Sequence, residues 1–109
     1  MERPLSDDEL AVLRRLTAVD RPEAAAMRES LDYLVVDAEC DCGCESFGVR
    51  DTRFPEQDHH LQSWVDATSA DGETTIGLLL GSAGRLKYLD IYMPNQGRLP
   101  KAEDLIFLP

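Results

Sequence analysis

The sequence has no long apolar run. The longest, Ile76 to Leu80, is interrupted by Gly77 and falls far short of the roughly 20 residues a membrane-spanning helix needs. Positive charge is also scarce: 11 Lys and Arg stand against 21 Asp and Glu, for a formal net charge of −10. Phosphate backbones are held by clustered Lys and Arg, so direct nucleic-acid binding is not expected, and neither is an anionic membrane surface. The start, Met1 to Glu9, lacks the positive region and apolar stretch of a signal peptide. The cysteines number three, all between Cys40 and Cys44, which is no disulfide framework. Together these absences predict a cytoplasmic protein. Familiar catalytic patterns are missing as well: there is no GxGxxG, P-loop, GxSxG or HExxH. Gly81-Ser82-Ala83-Gly84 lies between two predicted strands, so it reads as a turn rather than a phosphate cradle. The reading leans away from an enzyme, and no catalytic or cofactor-binding residue is assigned.

The 109 residues amount to one domain, large enough to bury a core without disulfides or metal. An apolar fraction of 43% and a charged fraction of 29% fit an ordinary globular chain.

A first helix is predicted at 6–18. Ser6 and Glu9 have the spacing of a capping box, Leu5 and Leu10 that of a hydrophobic staple. Asp7 and Asp8 suit the positive end of the helix dipole, and Leu10, Leu13 and Leu16 give an apolar stripe. A second helix is predicted at 20–32, with Asp20 and Glu23 repeating the capping-box spacing and Pro22 in the first turn.

From Tyr33 the pattern changes to period two. Leu34, Val36, Ala38 and Cys40 fall on one face of a strand at 33–41; Tyr33, Val35, Asp37, Glu39 and Asp41 fall on the other. The cysteine triplet with Gly43 makes a turn into a second strand at 46–50. Further strands are predicted at 61–69, 74–80 and 85–93, with Asp71-Gly72 suited to the positive φ angles of a type I′ turn. The expected architecture is α+β: two N-terminal helices packed on one face of a roughly five-stranded antiparallel meander, in a single domain spanning 1–109.

The one motif with chemical content is Cys40-Asp41-Cys42-Gly43-Cys44. Three readings stay open. Thiolates bind zinc or copper(I), with Cys40, Cys42 and Cys44 as ligands and His59 or its neighbour His60 as a conceivable fourth, although the paired Cys-x₂₋₄-Cys spacing of structural zinc sites is absent. Cys42 and Cys44 could instead close a small redox-active disulfide, against which the surrounding carboxylates raise thiol pKa values. Third, cysteine is a small hydrophobe, and Cys40 continues an apolar face. The acids around the motif, Asp37, Glu39, Asp41 and Glu45, form a candidate contact surface for a basic protein partner.

The elements Cys40-Asp41-Cys42-Gly43-Cys44-Glu45-Ser46 and Gly84-Arg85-Leu86-Lys87-Tyr88-Leu89-Asp90-Ile91-Tyr92, followed by Leu99-Pro100-Lys101-Ala102-Glu103-Asp104-Leu105, resemble a group of small bacterial proteins common in actinobacteria. These share a Cys-x-Cys-Gly-Cys-x-Ser element and a late GxLxxL[DE][IV]Y strand, and Glu45 stands where the pattern has proline. The resemblance implies a bacterial, cytoplasmic setting and carries over no catalytic residue. The leading expectation is a non-enzymatic interaction or accessory domain; the alternatives are a metal-binding protein and a thiol-redox protein.

Overall fold

Ser6 opens the first helix as the sequence predicts. Its Oγ accepts from the Glu9 amide at 3.1 Å, and the Glu9 carboxylate accepts from the Ser6 amide at 2.8 Å, so both halves of the capping box are made. The structure is a computed structural model that describes residues 2–39, 45–54, 61–70, 72–81, 85–91 and 99–108. In chain order its elements are β1 (Arg3–Pro4), α1 (Asp7–Thr17), α2 (Ala24–Ser30), a 3₁₀ turn (Leu31–Tyr33), β2 (Leu34–Glu39), β3 (Phe47–Asp51), β4 (Gln62–Ser69), β5 (Thr75–Leu80), β6 (Leu86–Ile91), a second 3₁₀ turn (Ala102–Asp104) and β7 (Leu105–Phe107).

The class is α+β, with two helices and one antiparallel sheet, but the sheet has seven strands rather than five, in the order β1-β2-β3-β6-β5-β4-β7. The helices also follow a short strand instead of leading the chain. The extra strands are edges two and three residues long, too short to show a period. Nor is the sheet a continuous meander. β2–β3 is a hairpin and β4–β5–β6 a meander, and the two are joined because β3 pairs with β6 through Phe47↔Leu89 and Gly48↔Tyr88.

α2 starts later than predicted, at Ala24, and no side chain caps it. The Asp20–Glu23 box is not formed because the segment before Ala24 is a tight turn, closed by Arg21 N–H to Val19 O and Ala24 N–H to Arg21 O. That turn sends the Arg21 guanidinium to the Trp64 carbonyl (3.2 Å) and over the Trp64 ring. The turn between β4 and β5 falls where the sequence predicts it. Gly72 has the expected positive φ, 76°; its amide donates to Ser69 O and the Ser69 amide to Thr74 O, while Asp71 lies outside the described residues.

One face of the sheet meets the helices. Val12, Leu13 and Leu16 of α1 and Met27 of α2 share a core with Val36, Phe47, Val49, Ala67, Ile76, Leu78 and Leu89. The other face carries half-buried Val35, Asp37, Arg50, Asp66, Leu79, Tyr88 and Asp90. The C-terminal segment is held by Arg15, which donates to Leu105 O (3.4 Å) and stacks on Phe107. Leu105 is buried there, whereas Ile106 and Leu108 stay exposed. Among the described residues no helix is long and apolar enough to cross a membrane.

A bulge lies between Val36 and Ala38 of β2. Val36 pairs with Val49, Ala38 with Gly48 and Glu39 with Phe47. The expected period-two face is therefore broken: Ala38 is exposed instead of continuing the apolar side. Glu39 comes to the side of buried Phe47, where α1 begins. There Arg3 joins three elements, donating to Glu39 at 2.6 Å and to both Glu9 carboxylate oxygens at 2.8 Å.

Glu9 is buried and its carboxyl titrates below the ordinary value of 4.5; the hydrogen bond from Arg3 is the main cause, and partial burial works against it. A depressed carboxyl contributes stability that is complete above its unfolded value and disappears as pH falls through the folded one. Arg3→Met should therefore lower stability at neutral pH by about 1–2 kcal/mol, the lower part of the range for an orphaned buried acceptor because Arg3 is partly exposed. The urea midpoint should fall at unchanged m-value. The gap between parent and variant should close as pH drops below about 4.5; a gap that persists in acid would show that the charge of Glu9 is not what Arg3 stabilises.

Candidate functional site

The cysteines fall by sequence between Glu39, the last residue of β2, and Glu45 and Ser46, just before β3. Each flank is tied down by a different part of the chain. Glu39 is bound by Arg3. The Glu45 carboxylate accepts from the Leu99 amide at 2.7 Å, and buried Ser46 accepts at Oγ from the Ile91 amide at 2.8 Å. Local sequence places Ser46 one residue before β3, and the β3–β6 pairing sets Ile91 within its reach.

Beside these stems the N-terminal turn of α1 faces residues 99–103. Between them runs a cleft of two adjoining depressions, about 140 and 190 Å³, that share Asp8, Pro100 and Lys101. The first is also lined by Glu9 and Glu45, the second by Glu103. Glu9 is neutralised by Arg3. Asp8, Glu45 and Glu103 are exposed and form no ion pair among the described residues, and Lys101 is the cation in the lining. Asp8 occupies the first turn of α1 because the helix dipole favours an acid there; Glu103 arrives because the second 3₁₀ turn packs against α1. The cleft therefore offers carboxylate acceptors to a cationic group.

The predicted site residues fare differently. Cys40, Asp41, Cys42, Cys44, His59 and His60 lie outside the described residues. Among the described residues no three His, Cys, Asp or Glu side chains group as metal ligands. Asp37, Glu39 and Glu45 do not share one face. Asp37 is half-buried on the sheet face away from the helices, where its Oδ1 lies 2.9 Å from the position a Cβ on Gly48 would take. Glu39 is engaged with Arg3 on the helix side, and Glu45 lines the cleft. Asp8 and Glu103 were not singled out from sequence. Asp8 signalled only a helix start, and nothing local brings Glu103 to it.

Ser46→Ala should leave the buried Ile91 amide without its acceptor, at a cost of about 1–2 kcal/mol. Exchange of that amide proton should accelerate in native-state hydrogen exchange. Unchanged protection would mean that β6 holds its end without Ser46.

No protein-family model, curated protein or solved structure matches the chain.

Proposed function

We propose that the protein is a small non-enzymatic interaction domain of a bacterial cytoplasm, and that it holds a Lys- or Arg-bearing segment of a protein partner in the cleft between α1 and residues 99–103. The observation that carries this reading is the set of exposed acids around the cleft, Asp8, Glu45 and Glu103, which form no ion pair among the described residues and share the lining with Lys101. The buried acid beside them is already neutralised by Arg3. A chain of net charge −10 also steers a basic partner toward itself. Of the acids expected to make the contact, Glu45 belongs to this surface, and Asp41 lies in the same hairpin by sequence.

The test is titration of a lysine-rich peptide and of a neutral peptide of equal length. The basic peptide should bind and the neutral one should not. Asp8→Ser with Glu45→Ser should weaken binding on the order of tenfold and flatten its salt dependence. Full-strength binding by the double variant would place the contact elsewhere on the acidic surface.

A second reading is a metal site, zinc or copper(I), on Cys40, Cys42 and Cys44, with His59 as a further ligand. What favours it is the fixation of both stems of the hairpin, through Glu39, Glu45 and Ser46, since a fixed stem lowers the ordering cost of closing a loop around an ion. Elemental mass spectrometry on protein purified without chelator should then find about one ion per chain, lost in both Cys42→Ser and Cys44→Ser. Metal-free protein with three titratable thiols would reject the site and leave the thiol-redox alternative to be tested by its reduction potential.

A further inference from the structure

Among the described residues, Glu9 is the one acid in the cleft lining that already holds a cation. Arg3 Nη1 and Nη2 donate to its Oε1 and Oε2, each at 2.8 Å. Arg3 reaches the carboxylate from β1 and does not itself line the cleft. Glu9 thus stands between a guanidinium of its own chain and a depression open to a guanidinium or ammonium from outside.

Two features make the Arg3–Glu9 contact exchangeable. The carboxylate is not saturated. It has about four lone-pair sites; Oε1 takes the Ser6 amide and Arg3 Nη1, and among the described residues Oε2 takes Arg3 Nη2 only. A cation arriving through the cleft therefore has a site on Glu9 before Arg3 leaves. The Ser6 amide keeps its bond throughout, so the cap of α1 is undisturbed. Arg3 also has a second carboxylate to stay with. Its Nε donates to Glu39 at 2.6 Å, and the Glu39 side chain is 63% exposed, so it can follow the guanidinium outward. The backbone of β1 resists little: the strand is two residues long, and Pro4 has no N–H to give. Glu2, bound to Arg50 at 2.6 and 2.9 Å, keeps the start of the strap in place when Arg3 shifts.

We infer that Arg3 is an autoinhibitory contact of the acidic cleft: its guanidinium occupies Glu9 in the free protein, and a cationic side chain of the bound segment displaces it toward Glu39. This role rests on the cleft holding a basic segment, as proposed above. Apparent affinity is lowered by the fraction of molecules in which Glu9 is free to be taken. A cation that stays at the exposed rim, by Asp8 or Glu103, does not meet Arg3; one that reaches Glu9 does.

The experiment is titration of the lysine-rich peptide into the full chain and into its Arg3→Met, Arg3→Lys and Arg50→Gln variants at one ionic strength. Arg3→Met should bind on the order of tenfold more tightly than the parent, although it folds less stably. Arg3→Lys, which offers Glu9 one nitrogen in place of two, should bind more tightly than the parent by a smaller factor. Arg50→Gln removes the same charge from a pair away from the cleft lining and should change the affinity by less than about twofold. Equal or weaker binding in both Arg3 variants, or an equal gain in Arg50→Gln, would overturn the inference and leave the cleft reading intact. No binding by any of these proteins would overturn the cleft reading itself, and the role of Arg3 with it. If Arg3→Met loses its fold, Arg3→Lys decides.

Discussion

The architecture rests on the short seam between β3 and β6. Two register pairs, Phe47↔Leu89 and Gly48↔Tyr88, join the β1–β2–β3 side of the sheet to the β6–β5–β4–β7 side. Phe47 and Leu89 are each 1% exposed, so the seam is also the middle of the core, and burying two such side chains is worth several kcal/mol, about 1.5–3 each. It tolerates no bulk at its second pair. A Cβ on Gly48 would sit 3.2 Å from the Ala38 Cβ and 3.4 Å from the Tyr88 ring, as well as against the Asp37 carboxylate. The carboxylate can swing aside, but the alanine methyl is fixed to the bulged strand. A glycine is needed there because β2 and β6 both close over the position.

Charged clusters lie at both ends of this seam. At one end Ser46 meets Ile91 and Glu45 meets Leu99, fixing the stem of the cysteine hairpin next to the acidic cleft. At the other, Asp51 anchors Arg53, and Arg85, just before β6, closes on Phe54. The strands are antiparallel, so the start of β3 lies beside the end of β6 and the reverse. One pairing therefore positions both charge clusters at opposite ends of the same two strands. The acidic end orients a charged partner before contact, and so acts on association rate more than on the strength of the final complex.

What could be read from the sequence was local. The α1 cap was legible because Ser6 and Glu9 satisfy each other within one turn, whatever the rest of the chain does. Five of the seven strands were legible from alternation, to within a residue or two; the edge strands Arg3–Pro4 and Leu105–Phe107 were not. The start of α2 was not, because Asp20 and Glu23 had the right spacing but Arg21 is committed to Trp64 more than forty residues away. The β2 bulge was equally hidden: alternation predicts one phase for Leu34 to Cys40, and the phase changes at Asp37 only because Ala38 must pair with Gly48. That shift separates Asp37 from Glu39, two acids that alternation puts side by side. The seam itself links residues about forty apart, and pairing at such range leaves no local pattern. At the far end of the seam, Asp51-Thr52-Arg53-Phe54 was visible as neighbours in sequence, but Arg85 joins them only through the sheet.

The arginines separate structural acids from available ones. Among the described residues two carboxylates are buried, Glu9 and Asp51, and each has its own guanidinium with bonds from more than one donor nitrogen. A buried ion pair adds little net stability, since desolvation offsets much of the attraction, but breaking one side of it is costly. Arg53 is thus constrained by the fold and is a poor candidate for adjustment to a ligand, whereas Arg3 keeps a second, exposed carboxylate in Glu39. Asp8, Glu45 and Glu103 carry no such obligation to a buried charge among the described residues. They can be changed without stranding a charge in the core, so substitutions there report on binding, while a substitution at Arg53 reports first on folding and one at Arg3 reports on both.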